Sequence, residues 1–139
     1  MTTVIDSNVL IELWDPDQAS HNQARNSLDA ALAQGGLVVP APVFAELMAA
    51  PGRTEAFLNT FFQDTSIRVD WELGERVWRV AGRAFRDYAA RRRSLDGPRR
   101  ILADFLIGAY AMQNGYQLLT LDRRLYRAAF PELKIASAT

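Results

Sequence analysis

Short apolar runs alternate along the chain with longer segments in which apolar residues recur every three or four positions. The short runs predict strands and the longer segments predict helices. This alternation is typical of βαβ units around a mainly parallel sheet, which makes the predicted fold class α/β. At 139 residues, the chain is expected to form a single domain over residues 1–139. The predicted strands cover residues 2–5, 37–39, 67–69, 116–119 and 133–135, and the predicted helices cover residues 7–14, 20–34, 42–50, 54–62, 72–92, 101–113 and 123–129.

The first predicted strand runs directly into Asp6, and the apolar run 9–11 then predicts a helix. A carboxylate at the carboxyl end of a strand lies where open α/β sheets hold their ligands. Taken alone, an Asp between a strand and a helix is most often a helix cap. The functional interpretation of Asp6 therefore depends on whether other acids join it.

Two further acids are the only charged residues in apolar helices. Glu46 is the only charged residue in the predicted helix at 42–50, and Asp104 is the only charged residue in residues 101–112. Helices that are apolar on most faces are expected to be buried, where an unpaired carboxylate is costly. Glu46 could instead reach the surface or pair with an arginine, and the helix dipole would favour Asp104 in a first turn. We favour a functional role for both.

Asp122 follows the strand predicted at 116–119, with Thr120 as a hydroxyl partner between them. By itself Asp122 would be read as the cap of the next helix. With Asp6, Glu46 and Asp104 it makes four acids from four separate segments. Gathered carboxylates either share protons or hold a cation. Oxygen ligands without His or Cys favour Mg²⁺ or Mn²⁺.

The composition narrows the chemistry further. The chain has no cysteine, a single histidine and no glycine-rich phosphate loop, so covalent catalysis and P-loop chemistry are poorly supported. Among the chemistries considered, metal-assisted attack of water on a phosphodiester remains. The absence of cysteine fits a cytoplasmic location, which we expect. We expect no signal peptide and no membrane span, because no apolar run has the required length or flanks.

The charge is unevenly distributed. Residues 1–75 carry 3 arginines against 11 acids, and residues 76–100 carry 9 arginines against 2 acids. Arginine suits phosphate contacts, so the second segment predicts either a nucleic-acid surface or a solvated helix face. Arg99 and Arg100 precede the helix of Asp104 and are expected at the rim of the site, where they would contact phosphate.

Three aromatic residues are spaced seven apart, at Trp71, Trp78 and Phe85. This spacing places them on one face if the segment is helical. We expect them to belong to the core or to a dimer interface rather than to stack on bases.

Four motifs together resemble a PIN-domain ribonuclease, and the size of the chain resembles the VapC toxins of bacterial toxin–antitoxin pairs. The motifs are VIDSNVLI at residues 4–11, PVFAEL at 42–47, DFLIGAYA at 104–111 and LLTLDR at 118–123. Each motif alone is a loose pattern. Their order and spacing cover nearly the whole chain and are specific as a set.

The resemblance implies an α/β/α sandwich with a central, mainly parallel sheet and an acidic pocket that holds Mg²⁺ or Mn²⁺. It implies cleavage of RNA, often tRNA or an rRNA hairpin, by a toxin that forms homodimers and is silenced by a cognate antitoxin protein. By position, Asp6 and Asp104 match the principal metal ligands, and Glu46 and Asp122 match the other pocket acids. The remaining matches are supporting polar positions that would face the substrate, Asn8 and Thr120.

The chain departs from some relatives after the fourth acid, where Arg123 and Arg124 stand in place of a further carboxylate. A fifth carboxylate ligand is therefore not expected there. These arginines are instead candidates for contacts with phosphate or with the antitoxin.

Two other classes stay open. A haloacid-dehalogenase-like phosphatase also begins with an Asp after the first strand, but it wants a second Asp two residues on, and position 8 is Asn. That chemistry also requires a catalytic lysine, and the only lysine, Lys134, is poorly placed near the end of the chain. A PIN-like domain that binds RNA or protein without cutting is the non-enzymatic alternative.

Overall fold

The structure is a computed structural model that describes residues 1–17, 19–92 and 102–136. Strands and helices alternate through most of this part of the chain. In order they are β1 (Thr3–Ile5), α1 (Ser7–Leu13), α2 (His21–Gln34), β2 (Leu37–Pro40), α3 (Ala41–Leu47), α4 (Glu55–Thr65), β3 (Arg68–Asp70), α5 (Glu75–Arg92), α6 (Leu102–Gln113), β4 (Gln117–Leu119) and α7 (Arg123–Ala129).

The four strands form one parallel sheet in the order β3-β2-β1-β4, which confirms the predicted α/β class. Val4 of the central strand β1 pairs with Val38 on one side and Leu118 on the other. All three residues of β1 are buried. Its apolar residues Val4 and Ile5 suit a strand that is buried on both faces of a parallel sheet, and the buried Thr3 hydroxyl accepts a hydrogen bond from Gln117 at 2.7 Å.

The strand predicted at 133–135 is wrong as a strand. Within the described residues, this segment contributes a single parallel bridge, between Ile135 and Leu118. The Leu133 N–H bonds to the Phe130 carbonyl at 3.0 Å, so the chain is still turning when it reaches the sheet edge. Only one residue is then in register with β4.

Helix α5 begins at Glu75, three residues later than predicted. The Glu72 N–H donates to Asp70 Oδ1 at 3.1 Å, which gives the backbone an alternative to the helix. Gly74 follows with φ 86°, a left-handed conformation that glycine adopts without strain. Helix α3 ends at Leu47 rather than at residue 50, because residues 48–52 form turns before Arg53.

Helices α5 and α6 pack against each other through aromatic rings. Phe85 and Tyr88 lie 5.2 and 5.4 Å from Phe105, measured between ring centroids. This packing places the C-terminal part of α5 beside the first turn of α6. No described helix is long and apolar enough to cross a membrane.

Only Phe85 among the three spaced aromatics packs inward as predicted. Trp71 and Trp78 are 62% and 53% exposed, so they lie outside the core, and their other predicted place, a dimer interface, stays a prediction. Trp71 lies outside any helix, just after β3, and touches the Phe44 ring from its edge. The predicted helical face is therefore broken before Trp78.

Candidate functional site

The carboxyl ends of β1 and β4 meet at one edge of the sheet. Asp6 directly follows β1 and Thr120 directly follows β4. The Asp6 N–H donates to the Leu119 carbonyl at 2.9 Å, which continues the strand pairing by one residue. The two side chains are thereby brought to the same point above the sheet.

Asp6 is 4% exposed, and both of its oxygens accept hydrogen bonds. Oδ1 accepts from the Ser7 N–H at 2.8 Å, so Asp6 caps α1. Oδ2 accepts from Thr120 Oγ1 at 2.7 Å and from Asn8 Nδ2 at 3.4 Å. The cap and the functional interpretation are therefore not alternatives, because one carboxylate serves as the cap and as the centre of the cluster.

Asn8 and Thr120 connect Asp6 to the segment that follows β4. Asn8 Oδ1 accepts from the Leu121 N–H at 3.1 Å, and Thr120 Oγ1 accepts from the Asp122 N–H at 3.0 Å. Both side chains are thus tied to the segment that leaves β4. Their role in this structure is to fix the orientation of the Asp6 carboxylate.

Glu46 lies on α3 and is half-buried rather than enclosed. Its Oε1 accepts a hydrogen bond from Ser7 Oγ at 3.0 Å. The sequence analysis did not predict this role for Ser7. The signal was its place between Asp6 and Asn8, on the first turn of a helix that starts at the site.

Burial and mutual repulsion shift the acidity of this cluster. Burial and the Asp104 charge together raise the pKa of Asp6 to about 6, against the lowering effect of the Thr120 hydrogen bond. Burial also raises the pKa of Glu46 to about 7 against the Ser7 hydrogen bond, with the charges of Asp6 and Asp104 adding to the rise. Asp104 lies in the first turn of α6 and is half-buried. Three carboxylates from three segments therefore act on one another.

Asp122 joins this group through its backbone. It stands at the N-cap position of α7, but its side chain does not make the capping hydrogen bond. Its N–H bonds to the same Thr120 hydroxyl that donates to Asp6. The structure thus connects Asp122 to the cluster by way of Thr120.

Tyr126 is a second residue that sequence reasoning missed. It lies one helical turn after Asp122, is 1% exposed and has its hydroxyl buried. Burial raises the pKa of that hydroxyl above its ordinary value, and the charges of Asp6, Asp104 and Glu46 raise it further. The signal available in the sequence was an aromatic residue four positions after an acid on a short helix.

The predicted arginine contacts divide into two groups. Arg99 and Arg100 lie outside the described residues. Arg123 Nη2 donates to the Ala136 carbonyl at 2.9 Å, so this guanidinium ties α7 to the segment that follows it. Arg124 is exposed.

The predicted site needs oxygen donors that can hold Mg²⁺ or Mn²⁺. In the described parts of the chain, no group of three or more Asp, Glu, His or Cys side chains is arranged to hold a metal ion. Mg²⁺, however, keeps several of its waters and is commonly held by one or two carboxylates. A cluster of oxygen donors with raised pKa values and a buried hydroxyl behind it fits such a hydrated ion by its chemistry.

The match to known families agrees with this arrangement. The PIN domain family model matches residues 3–131, and the chain therefore belongs to the PIN domain family. This confirms the resemblance found in the four motifs and leaves the phosphatase alternative without support. No curated protein matches the sequence.

Solved structures with the same fold come from toxin–antitoxin pairs. The VapBC2 structure from Rickettsia felis, bound to a promoter DNA fragment, matches with a TM-score of 0.69 at 16% identity, covering 97% of each chain. FitAcB from Neisseria gonorrhoeae gives 0.65 at 20% identity, over 98% of this chain and 97% of that one. VapC20 of Mycobacterium tuberculosis, a toxin that cleaves the sarcin–ricin loop, gives 0.59 at 15% identity, over 92% and 95%. At these identities the likeness shows the fold.

Proposed function

We propose that this protein is a Mg²⁺- or Mn²⁺-dependent endoribonuclease and the toxin of a type II toxin–antitoxin pair. The observation that carries the proposal is the mutual repulsion of Asp6, Glu46 and Asp104 at the carboxyl edge of a PIN-family sheet. Carboxylates held at raised pKa values are typical of sites that work on protons or cations. A cation would remove the repulsion that the fold imposes.

The four acids take different parts in this proposal. Asp6 and Asp104 are the principal ligands, and Glu46 and Asp122 complete the acidic rim. Asn8, Thr120 and Ser7 hold two of these carboxylates in place through the hydrogen bonds described above. A bound ion would supply an activated water and would neutralise charge on the phosphate that is cut.

A row of arginines on α5 supports a polyanionic substrate. Arg76, Arg79, Arg83 and Arg86 are exposed and spaced by three or four residues, which places them on one face of the helix. At 1.5 Å per residue the row is roughly 15 Å long. It leads toward the end of α5 that packs beside the turn of Asp104. We propose that RNA phosphates lie along it and that Arg99 and Arg100 extend it to the site.

The proposed protein partner rests on the similar solved structures. Because the similar folds include a VapBC complex and a FitAcB assembly, we propose that a cognate antitoxin binds this chain. We also propose a homodimer in which the exposed rings of Trp71 and Trp78 are covered. The protein would act in the cytoplasm as a single PIN-like domain over residues 1–139.

Cleavage of total cellular RNA by the purified protein tests this function. We expect discrete fragments with Mg²⁺ or Mn²⁺, none with EDTA, and none with Asp6→Asn. Asp70→Asn is the matched control, because Asp70 also ends a strand of the same sheet. Mapping the fragment ends would name the RNA.

The alternative outcome is also informative. Identical RNA patterns from wild type, Asp6→Asn and the EDTA sample would contradict the nuclease. They would favour a PIN domain that binds RNA or protein without cutting.

A further inference from the structure

Two tyrosines of this chain are buried to the same degree, but their hydroxyls have different surroundings. Tyr110 and Tyr126 are each 1% exposed. The Tyr110 hydroxyl donates to Asp70 Oδ2 at 2.7 Å. The Tyr126 hydroxyl has no hydrogen bond of standard geometry to any described residue. A buried hydroxyl without a partner is costly, and phenylalanine would avoid that cost.

The Tyr126 hydroxyl is nevertheless close to a strong acceptor. The charge of the Asp6 carboxylate acts on it, and so do the charges of Asp104 and Glu46. Tyrosine is neutral at physiological pH, and three nearby negative charges keep it so. It can therefore only serve these carboxylates as a donor.

Asp6 retains capacity for such a donor. Its Oδ1 accepts one hydrogen bond, from Ser7, and its Oδ2 accepts two, from Thr120 and Asn8. An ionised carboxylate offers about four acceptor positions. Tyr126 approaches from α7, whereas the other donors lie on α1 and at the end of β4.

We propose that Tyr126 is a positioning residue of the acidic site: its hydroxyl donates to Asp6 in the loaded protein and holds that carboxylate in the orientation a divalent cation requires. This inference rests on the proposed function, because it assumes that the acids bind an ion. Groups that orient metal ligands in this way commonly change metal affinity by about 10–100-fold when removed.

Mn²⁺ binding measured by calorimetry on the full chain tests the inference. We expect Tyr126→Phe to weaken Mn²⁺ binding by about 10–100-fold. The thermal unfolding midpoint of the metal-free variant should equal or exceed that of wild type, because the variant loses only an unpaired hydroxyl. This combination separates positioning from a structural role, since a structural role would lower the midpoint instead.

Tyr110→Phe is the matched control. It removes a hydroxyl that is equally buried but bonded to Asp70, so it should lower the unfolding midpoint and leave Mn²⁺ affinity unchanged.

The outcomes are distinguishable. If wild type binds Mn²⁺ and cuts RNA while Tyr126→Phe binds Mn²⁺ as tightly, the positioning role is overturned and the nuclease stands. If wild type shows no Mn²⁺ binding and no metal-dependent cleavage, the proposed function fails and this inference fails with it.

Discussion

Asp6 and Asp70 both stand at the carboxyl end of a strand in the same sheet, and each has a buried tyrosine nearby. Their electrostatic surroundings are opposite. At Asp70, burial raises the pKa, but hydrogen bonds from Tyr110 and the Glu72 N–H and the charge of Arg68, 3.5 Å away, lower it below its ordinary value. At Asp6, burial and Asp104 raise the pKa to about 6.

We propose that this difference separates a structural carboxylate from a functional one. Asp70 has a cation and a tyrosine donor beside it, so its charge is compensated locally. Asp6 accepts hydrogen bonds from neutral donors and is repelled by the charge of Asp104, a repulsion that a proton or a bound cation would relieve. The four predictions below test this contrast, from the largest expected effect to the smallest.

RNA cleavage should depend on Asp6 and not on Asp70. We expect Asp6→Asn to reduce the rate by at least about 100-fold, the scale expected for losing one electrostatic contact to the reacting group. Asp70→Asn should stay close to wild type, because Asp70 lies outside the acid cluster. Initial rates at saturating Mn²⁺ would measure both. Equal losses in the two variants would remove the distinction between the carboxylates.

Without metal, Asp6→Asn should stabilise the protein near pH 7. The folded-state pKa of Asp6 is about 6 against an ordinary value of 3.8, so the folded state binds more protons between these values. Stability contributed by this group is present below about pH 4 and is lost as pH rises through about 6. We expect the variant to be more stable than wild type by about 1–3 kcal/mol above pH 7.

Denaturant unfolding of both proteins between pH 4 and pH 8 in EDTA would measure this difference. The difference in unfolding free energy should widen as pH rises. Glu46 should add to it, because the Asp6 charge contributes to the raised pKa of Glu46 and the variant lacks that charge. A gap that is constant with pH, or that favours wild type throughout, would contradict the raised pKa of Asp6.

Removing the Asp70 carboxylate should destabilise the protein, which is the opposite of the effect expected for Asp6→Asn. Asp70→Ala leaves the Tyr110 hydroxyl and Arg68 without their common partner, so we expect a loss of about 1–2 kcal/mol. Chemical denaturation near pH 7 measures this loss. If Asp70→Ala has the same free energy of unfolding as wild type, then the hydrogen bond and ion pair of Asp70 stabilise the fold no more than contacts with water would.

The smallest effect concerns Ser7. Its hydroxyl lowers the pKa of Glu46, so Ser7→Ala should raise that pKa and move the acidic limb of the RNA cleavage profile to higher pH by less than about one unit. Ser7→Thr, which keeps a hydroxyl, is the control. An unmoved profile in Ser7→Ala would mean that Glu46 does not control the acidic limb.

The sequence was sufficient for the fold class and for the positions along the chain of the four strands that the structure describes. Short, largely apolar runs located β1, β2 and β4, which are buried, and a similar run located β3, which is only partly buried. Helix ends were less accurate where a side chain competes with the backbone, as Asp70 does ahead of α5. The segment ending at Ile135 has the composition of a strand, but register at the sheet edge is decided by the preceding turn.

The acids were singled out from the sequence because a lone charge in an apolar helix stands out. Ser7 and Tyr126 were not, since a small hydroxyl residue and a buried aromatic are ordinary in a helix and gain meaning only from what lies opposite them. The tryptophans were assigned to the core or to a dimer interface from their spacing alone, and Trp71 lies ahead of the helix on which that spacing would have placed all three rings on one face.

The most direct measurement is an NMR titration of the side-chain carboxyl carbons of Asp6 and Asp70, with and without Mg²⁺. We predict that in the metal-free protein Asp6 titrates near 6 and Asp70 below 3.8. We also predict that Mg²⁺ lowers the pKa of Asp6 and leaves that of Asp70 unchanged. Titration of both groups near their ordinary values, or an Asp6 pKa that does not respond to Mg²⁺, would contradict the account.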